Sequence, residues 1–222
     1  MARSQIIKEF AKNQIDLESM LRQLKLLLID LGKDELVDWT KHELEGYPSE
    51  VELPNYRIFN GVLKGSFLNF NLQCNNVPIP LKRDTPDDVI DFTSNVYLRE
   101  GISALKALDS DKGGSIYMPI PGNYLPAIQH HAAVTMTYLT SANIEASSTV
   151  VKSVLASVEN KIMDILILLE SEFGCIDNLE LDISSLEKSE LEKVQADISF
   201  IVFDNHVEVG DNNTIKNSTL NG

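Results

Sequence analysis

The residues best suited to chemistry surround one predicted helix end. Glu43 and Arg57 are an acid and a base on either side of a turn, and such a pair could belong to a catalytic site or form an ion pair that fixes the structure. We favour the structural interpretation, in which the pair crosses the turn and fixes how the helix enters a strand. The candidate structural or functional cluster consists of Trp39, Glu43, Tyr47, Pro54, Tyr56 and Arg57.

Other patterns with chemical potential are weaker. His130 and His131 are adjacent, so their side chains point in different directions and cannot easily share one metal ion. Gly113-Gly114 lacks the lysine and hydroxyl residue that complete a phosphate-binding loop. The sequence therefore predicts no catalytic residue, no metal site and no cofactor.

Helical spacing of apolar residues predicts the elements around the cluster. Asp16 is the predicted N-cap of a leucine-rich helix ending at Gly32, and Asp34 the predicted N-cap of a helix ending at Gly46. These two helices form a helical hairpin. The second one is rich in acids, which argues against a DNA-binding helix-turn-helix.

Beyond Tyr47 the apolar period becomes alternating, which is typical of strands. Residues 56–63 are predicted as one strand broken near Gly61, Gly65-Ser66 as a turn, and residues 68–74 as a half-buried strand. Pro78 and Pro80 confine the following segment to an edge strand or an extended arm.

Longer helical patterns return in the second half of the chain. Residues 85–108 are predicted as one helix capped by Thr85, residues 147–173 as the longest helix, and residues 182–192 as a short one. Residues 130–140 fit either helix or strand. The predicted fold class is α+β, with an N-terminal helical hairpin, a small antiparallel sheet, a long C-terminal core helix and a short β-type tail rich in Asn and Gly.

The composition changes near residue 190, which divides the chain into an α+β domain at 1–190 and a tail at 191–222. Residues 198–203 look β-like, and the Asn- and Gly-rich remainder is typical of tight corners between short strands. One such turn cannot bury its own apolar face, so we expect copies from several chains to pack together. The alternative is a disordered polar tail. The candidate self-association residues are Val207, Val209, Ile215 and Leu220.

The net charge of −14 over 222 residues disfavours binding to nucleic acid and favours solubility. The two cysteines, Cys74 and Cys175, are far apart and are expected to be buried free thiols. The longest apolar run, at residues 165–169, is too short to span a bilayer. We therefore expect a cytoplasmic protein without a membrane partner.

The dispersed pattern around the cluster resembles the AbiTii domain of bacterial phage-defence proteins. The resemblance covers most of residues 1–190, and the chain departs from it at Asn160-Lys161, where an arginine is expected. It rests chiefly on Leu36, Trp39, Glu43-Leu44, Gly46-Tyr47, Leu53-Pro54, Tyr56-Arg57, Gly61, Gly65 and Pro119-Ile-Pro121.

The resemblance implies a part in abortive infection, in which an infected cell stops supporting phage growth. Two functions are consistent with it. The first is a non-enzymatic module that binds a phage or host protein and forms a homo-oligomer. The second is a toxin-like effector enzyme that acts on nucleic acid or nucleotides through a dispersed site. Because no nucleophile, metal or phosphate motif is evident, we favour the first.

Overall fold

The computed structural model describes residues 3–109 and 114–203. Within those ranges the chain is α+β, and the predicted fold class is confirmed. The helices are α1 (Gln5–Ala11), α2 (Leu17–Asp30), α3 (Asp34–Glu45), α4 (Asp87–Ser94), α5 (Ile102–Asp109), α6 (Leu125–His131), α7 (Thr149–Phe173) and α8 (Lys188–Phe203). The strands are β1 (Ile58–Asn60), β2 (Val62–Asn69), β3 (Leu72–Pro78), β4 (Asn95–Tyr97), β5 (Ser115–Pro119) and β6 (Tyr138–Ser147).

The helical hairpin of α2 and α3 forms as predicted. Asp16 caps α2 by accepting hydrogen bonds from backbone N–H groups of its first turn. Gly32 and Gly46 end the two helices with φ angles of 66° and 103°, a region that glycine adopts at low cost. The predicted cap of α3 was wrong by one position. Lys33 is the N-cap, and Asp34 is the first helical residue, where its charge suits the helix dipole.

The main core is built around α7, whose apolar residues recur at intervals of three and four along one face. This helix packs against α1, α2, α5 and α8, and it ends at Gly174 as predicted. At 25 residues it is the longest described helix. Neither α7 nor any other helix of the described ranges has the length and apolar character needed to cross a membrane.

Two carboxylates fasten α1 to the C-terminal end of α7. Asp177 accepts a hydrogen bond of 3.0 Å from the backbone N–H of Ile6. Glu170 accepts one from the backbone N–H of Ser4 and lies 2.8 Å from the guanidinium of Arg3. The apolar face of α1 is thereby held against the main core.

The larger sheet is antiparallel with the strand order β3-β2-β6-β5, and β1 pairs separately with β4. The segment of Pro78 and Pro80, predicted as an edge strand or an extended arm, contains only the last residues of the edge strand β3, which ends at Pro78. Leu63, Phe67, Leu139 and Ala142 point to one face of the sheet and form a second apolar cluster with residues of α4 and α6. The sheet is therefore covered by helices on this side.

The predicted turn at Gly65-Ser66 was wrong. Strand β2 passes straight through these residues, and the chain reverses at Phe70 and Asn71. A side chain at Gly65 would place its Cβ 2.5 Å from Ile79 and 2.7 Å from the carbonyl of Ser141. Glycine is needed here because of close packing inside the sheet and not because of a turn.

The single strand predicted for residues 56–63 is also corrected. Asn55–Arg57 form a 3-10 turn, followed by β1 and then, after Gly61, by β2 in the other sheet. The break at Gly61 is where the sequence predicted it. A Cβ at Gly61 would lie 2.3 Å from the side chain of Ile144, so close packing again explains the glycine.

The helix predicted for residues 85–108 is interrupted. Helix α4 ends at Ser94, β4 pairs with β1, and α5 begins at Ile102. A Cβ at Gly101 would lie 2.4 Å from the carbonyl oxygen of Leu44, so the chain is pressed against the end of α3 at this point. Pro86 is the N-cap of α4 in place of the predicted Thr85.

The β-like interpretation of residues 198–203 was wrong, because they form the end of α8. Val194, Ile198 and Val202 recur every four residues and are buried against the main core, which is a helical pattern. The predicted boundary between residues 190 and 191 falls within this helix. The rest of the predicted tail, residues 204–222, lies outside the described residues.

Two further expectations are resolved. The thiols are free but not buried: Cys74 is half-buried on the edge strand β3, and Cys175 is exposed after the end of α7. Residues 130–140 are mixed, since α6 continues to His131 and β6 starts at Tyr138.

Candidate functional site

Glu43 and Arg57 form a two-point ion pair where α3 meets the strands. Arg57 Nη2 donates to Glu43 Oε2 at 2.6 Å, and Arg57 Nε donates to Glu43 Oε1 at 3.1 Å. Both side chains have 0% exposure. The acid and the base that the sequence places on either side of the turn are thus in direct contact, in the geometry that makes arginine–carboxylate pairs strong.

Three aromatic side chains complete the hydrogen bonding of this pair. Tyr47 Oη and Tyr56 Oη donate to Glu43 Oε1 at 2.6 Å and 2.7 Å, and Trp39 Nε1 donates to Tyr56 Oη at 2.8 Å. The guanidinium of Arg57 lies 4.8 Å from the centre of the Tyr47 ring, within the range of a cation–π contact. Glu43 Oε1 therefore accepts three hydrogen bonds.

Local structure explains how these residues meet. Trp39 and Glu43 are four residues apart, so they lie on the same face of α3. The chain turns at Gly46 and brings Tyr47 back beside the end of the helix. The 3-10 turn then places Tyr56 and Arg57. Pro54 contributes its carbonyl oxygen, which accepts the backbone N–H of Arg57 at 2.9 Å.

The segment at residues 98–101 completes the site and was missed in the sequence. Arg57 Nη1 donates to the carbonyl oxygens of Leu98 and Glu100, both at 2.8 Å. The backbone N–H of Tyr47 donates to the carbonyl of Arg99 at 2.8 Å. Backbone acceptors carry no residue-type signal, and the two glycines Gly46 and Gly101 are the sequence features that mark the close approach.

Electrostatics keep Tyr47, Tyr56 and Arg57 in one protonation state near neutral pH. Burial raises the pKa of Tyr47 and Tyr56 above the usual tyrosine range, and the negative charge of Glu43 raises the pKa of both further. Burial alone would lower the pKa of Arg57, but the charge and hydrogen bonds of Glu43 outweigh it and raise that pKa. The tyrosines therefore stay neutral donors, and Arg57 stays charged.

The cluster connects separate parts of the chain. Glu43 belongs to α3, Arg57 to the 3-10 turn, and Leu98 and Glu100 to the segment before α5. Since the acceptor atoms of Glu43 face protein donors, this arrangement can hold three segments together. A small molecule could reach the carboxylate only after one of these hydrogen bonds had broken.

A cleft of about 360 Å³ adjoins the cluster on the side of α7. Lys161 is 8% exposed and donates to the carbonyl oxygen of Ile201 at 2.6 Å, and its Nζ lies 5.0 Å from the ring centre of Tyr56. This lysine stands in the segment where the resemblance led us to expect an arginine, and it ties the last turn of α8 to α7. The cleft is lined by Tyr56, Ser157, Asn160, Lys161, Asp164, Phe200 and Ile201.

The remaining candidate residues do not join this site. His130 is exposed and His131 half-buried, with their ring centres 4.8 Å apart. Within residues 3–109 and 114–203, no group of three or more His, Cys, Asp or Glu side chains is arranged to hold a metal ion. The predicted self-association residues Val207, Val209, Ile215 and Leu220 lie outside the described residues.

Comparison with known proteins identifies the family. No curated protein and no solved structure matches the chain. The family model described as AbiTii matches residues 3–196, a span that takes in the whole buried cluster, both sheets and the long core helix. This protein therefore belongs to the AbiTii family.

Proposed function

We propose that this protein acts in abortive infection as a non-enzymatic module that binds a phage or host protein and assembles with copies of itself. Membership of the AbiTii family supports the role in abortive infection. The observation that carries the non-enzymatic part is the saturation of the Glu43–Arg57 pair by internal partners. The acid and base that looked most suited to chemistry serve to hold the fold.

The energetics of the pair support this interpretation. A reactive group must exchange its hydrogen bonds with those of a substrate, whereas Glu43 has 0% exposure and is bonded to Arg57, Tyr47 and Tyr56. Withdrawing the carboxylate would leave a buried guanidinium uncompensated, at a cost of about 3–5 kcal/mol. The pair is better suited to fixing the positions of surface elements than to turnover.

Partner binding is supported by apolar side chains at the tip of the β2–β3 hairpin. Phe70 is 83% exposed and Leu72 is 63% exposed, two positions apart across the turn. Large apolar side chains grouped on a projecting turn favour contact with another macromolecule. The net charge of −14 disfavours a nucleic acid as that partner.

The test is recovery of a partner from phage-infected cells. A tagged full chain should retain a specific phage or host protein, and Phe70→Asp should lose both this protein and the protection against phage. Leu26→Asp is the matched control, since Leu26 is 50% exposed on α2, away from the hairpin. Retention of partner and protection by Phe70→Asp would contradict the proposed binding site.

Self-assembly through the tail has its own test. Deleting residues 204–222 should lower the number of subunits in solution if Val207, Val209, Ile215 and Leu220 pack between chains. The full chain is measured beside the truncated one at the same concentration. An unchanged number of subunits after the deletion would reject assembly through this segment.

The cleft beside Tyr56 favours a second candidate, the toxin-like effector, because Asn160, Lys161 and Asp164 converge there. Asp164→Asn tests it. Expression toxicity that disappears in this variant without a change in melting temperature would favour an enzyme. Toxicity and protection equal to those of the exposed control Glu159→Gln, on the same helix, would favour the binding module.

A further inference from the structure

The negative charge of this protein is unevenly distributed along the chain. All 33 acidic residues lie outside two stretches, residues 53–83 and 112–144. These stretches supply β2, β3, β5 and most of β6, which together make the larger sheet. Glu145 is the single acidic residue within these strands. The sheet is therefore close to neutral in a molecule with a net charge of −14.

One face of this sheet is open to solvent. Residues alternate along β2 and β6, with Leu63, Phe67 and Ile144 buried on the helix side. We call the opposite side the open face. It consists of Val62, Lys64, Leu68, Tyr117, Tyr138 and Glu145. Val62, Leu68, Tyr117 and Tyr138 are all exposed. Helix α4, with its acidic residues, packs on the covered side of the sheet.

The charges of the open face cancel locally. Lys64 Nζ lies 2.5 Å from Glu145 Oε2, and Ser115 Oγ donates to Glu145 Oε1 at 2.6 Å. A surface for nucleic acid would present unpaired cations to the phosphates, whereas here the lysine is already paired. A neutral surface with two tyrosines and two aliphatic side chains has the composition of a protein interface.

We propose that the open face is the surface through which two copies of this chain dimerise, sheet against sheet. The inference rests on the self-assembly part of the proposed function and names a surface for it. Two molecules of charge −14 repel each other when their helical surfaces approach. Apposing the open faces brings the neutral sides together and keeps the acidic sides apart.

The geometry of the face suits this arrangement. In a two-fold dimer the same patch meets itself, so each Lys64–Glu145 pair remains internally neutral beside its symmetry mate. Sheets pack face to face at a separation of about 10 Å, a distance that interdigitated tyrosine and aliphatic side chains fill. Tyr117 and Tyr138 stand near opposite ends of the face. Val62 lies across Glu145 from Tyr117, and Leu68 lies directly beside Tyr138.

The experiment measures the mass of the full chain by analytical ultracentrifugation. The wild type should sediment as a dimer. The dissociation constant of this dimer should fall at higher salt, because ions screen the repulsion between the acidic sides. Val62→Glu and Tyr138→Glu should each raise the dissociation constant by roughly tenfold or more, since a new charge meets its own copy across the two-fold axis. Ile29→Glu is the matched control: Ile29 on α2 is 51% exposed and Val62 53%.

Each other outcome would overturn the proposal. A monomeric wild type would do so, as would a dimer that survives both substitutions on the open face while circular dichroism remains native. If the wild type binds an oligothymidylate of twenty nucleotides and Tyr138→Glu abolishes this binding, the face would be assigned to nucleic acid instead. A dimer lost only on deletion of residues 204–222 would reject this face, yet leave self-assembly through the tail, and hence the proposed function, intact.

Discussion

At the residue scale, Glu43 and Arg57 stabilise the protein only in each other's presence. Exchanging a buried ion pair for apolar side chains is often neutral, whereas removing one partner leaves an unpaired charge away from water. Here that charge would lie at the junction of α3, the 3-10 turn and the segment before α5. Breaking the pair therefore weakens the packing of all three segments.

Glu43→Gln should lower the free energy of unfolding by about 3–5 kcal/mol, because the guanidinium of Arg57 stays buried without its counter-charge. Urea denaturation measures this loss. Glu45→Gln, on the exposed side of the same helix, should change the free energy by less than about 0.5 kcal/mol. Adding Arg57→Met to Glu43→Gln should cost less than the sum of the two single changes; additive losses would show that the pair is not coupled.

The tyrosines make stability sensitive to alkaline pH. Burial and the charge of Glu43 raise the pKa of Tyr47 above its usual value of 10.0, to which it returns on unfolding. The folded state then binds more protons than the unfolded state above pH 10.0, so stability is fully present below this pH and falls as the pH rises. Urea midpoints measured from about pH 8 to about pH 11 would show the fall.

Tyr47→Phe provides the comparison for this pH dependence. The variant lacks one of the two ionisations, so its stability should fall less steeply above pH 10.0 than that of the wild type. Tyr124→Phe is the control, because Tyr124 is exposed in the 3-10 turn before α6 and lies outside the open face. Equal slopes for the wild type and Tyr47→Phe would contradict the assignment of Tyr47 as a buried donor to Glu43.

The side-chain part of this cluster was predictable, and the backbone part was not. Residue types and spacing around the end of α3 were enough to pair Glu43 with Arg57. The carbonyls of Leu98 and Glu100 lie 41 and 43 positions from Arg57 in the sequence, and they have no signature of residue type. Only the fold of the intervening chain brings them to the guanidinium.

At the element scale, the attachment of α1 depends on few contacts. Asp177→Ala should remove the acceptor of the Ile6 N–H group. The amides of α1 should then exchange with deuterium faster in the variant than in the wild type, and those of α7 serve as the internal reference. Hydrogen exchange resolved by mass spectrometry measures the difference. Asp182→Ala is the control, because Asp182 bonds locally to Ser184 and Ser185. Unchanged protection of α1 in Asp177→Ala would contradict its anchoring role.

The same anchor should weaken in acid. Backbone N–H groups of Gln5 and Ile6 lower the pKa of Asp177 below its usual value of 3.8. Its stabilisation is therefore present above pH 3.8 and is lost as the pH falls through the lower, folded-state pKa. Proteolysis by pepsin should cut near α1 before it cuts elsewhere, and cleavage that starts in another helix would contradict this order.

The elements themselves were predictable where a local signal marks each end. The hairpin of α2 and α3 and the long helix α7 have glycines at their ends and strong helical spacing, and they form as predicted. Strand β4 escaped detection because its three residues are extended only through pairing with β1. Gly65 was misinterpreted because a glycine required by close packing looks, in sequence, like a glycine required by a turn.

At the scale of the whole molecule, the structure separates an acidic helical layer from a nearly neutral sheet. The helices bury the main core and enclose the Glu43–Arg57 cluster, while the sheet presents the open face and the hairpin tip bearing Phe70. Membership of the AbiTii family places the protein among those linked to abortive infection. We therefore expect substitutions on the exposed sheet surfaces to change function directly. Substitutions in the buried cluster should change function only through folding.

The most direct test of this claim combines thermal melting with phage protection for Tyr47→Phe. Loss of one buried hydrogen bond to a charged group costs about 1.5–3 kcal/mol and lowers the melting temperature by about 2–4 °C for each kcal/mol in a chain of this size. We expect a lower melting temperature, with protection equal to that of the wild type at temperatures where the variant is folded. An unchanged melting temperature with protection abolished would contradict this expectation and make the cluster a functional centre.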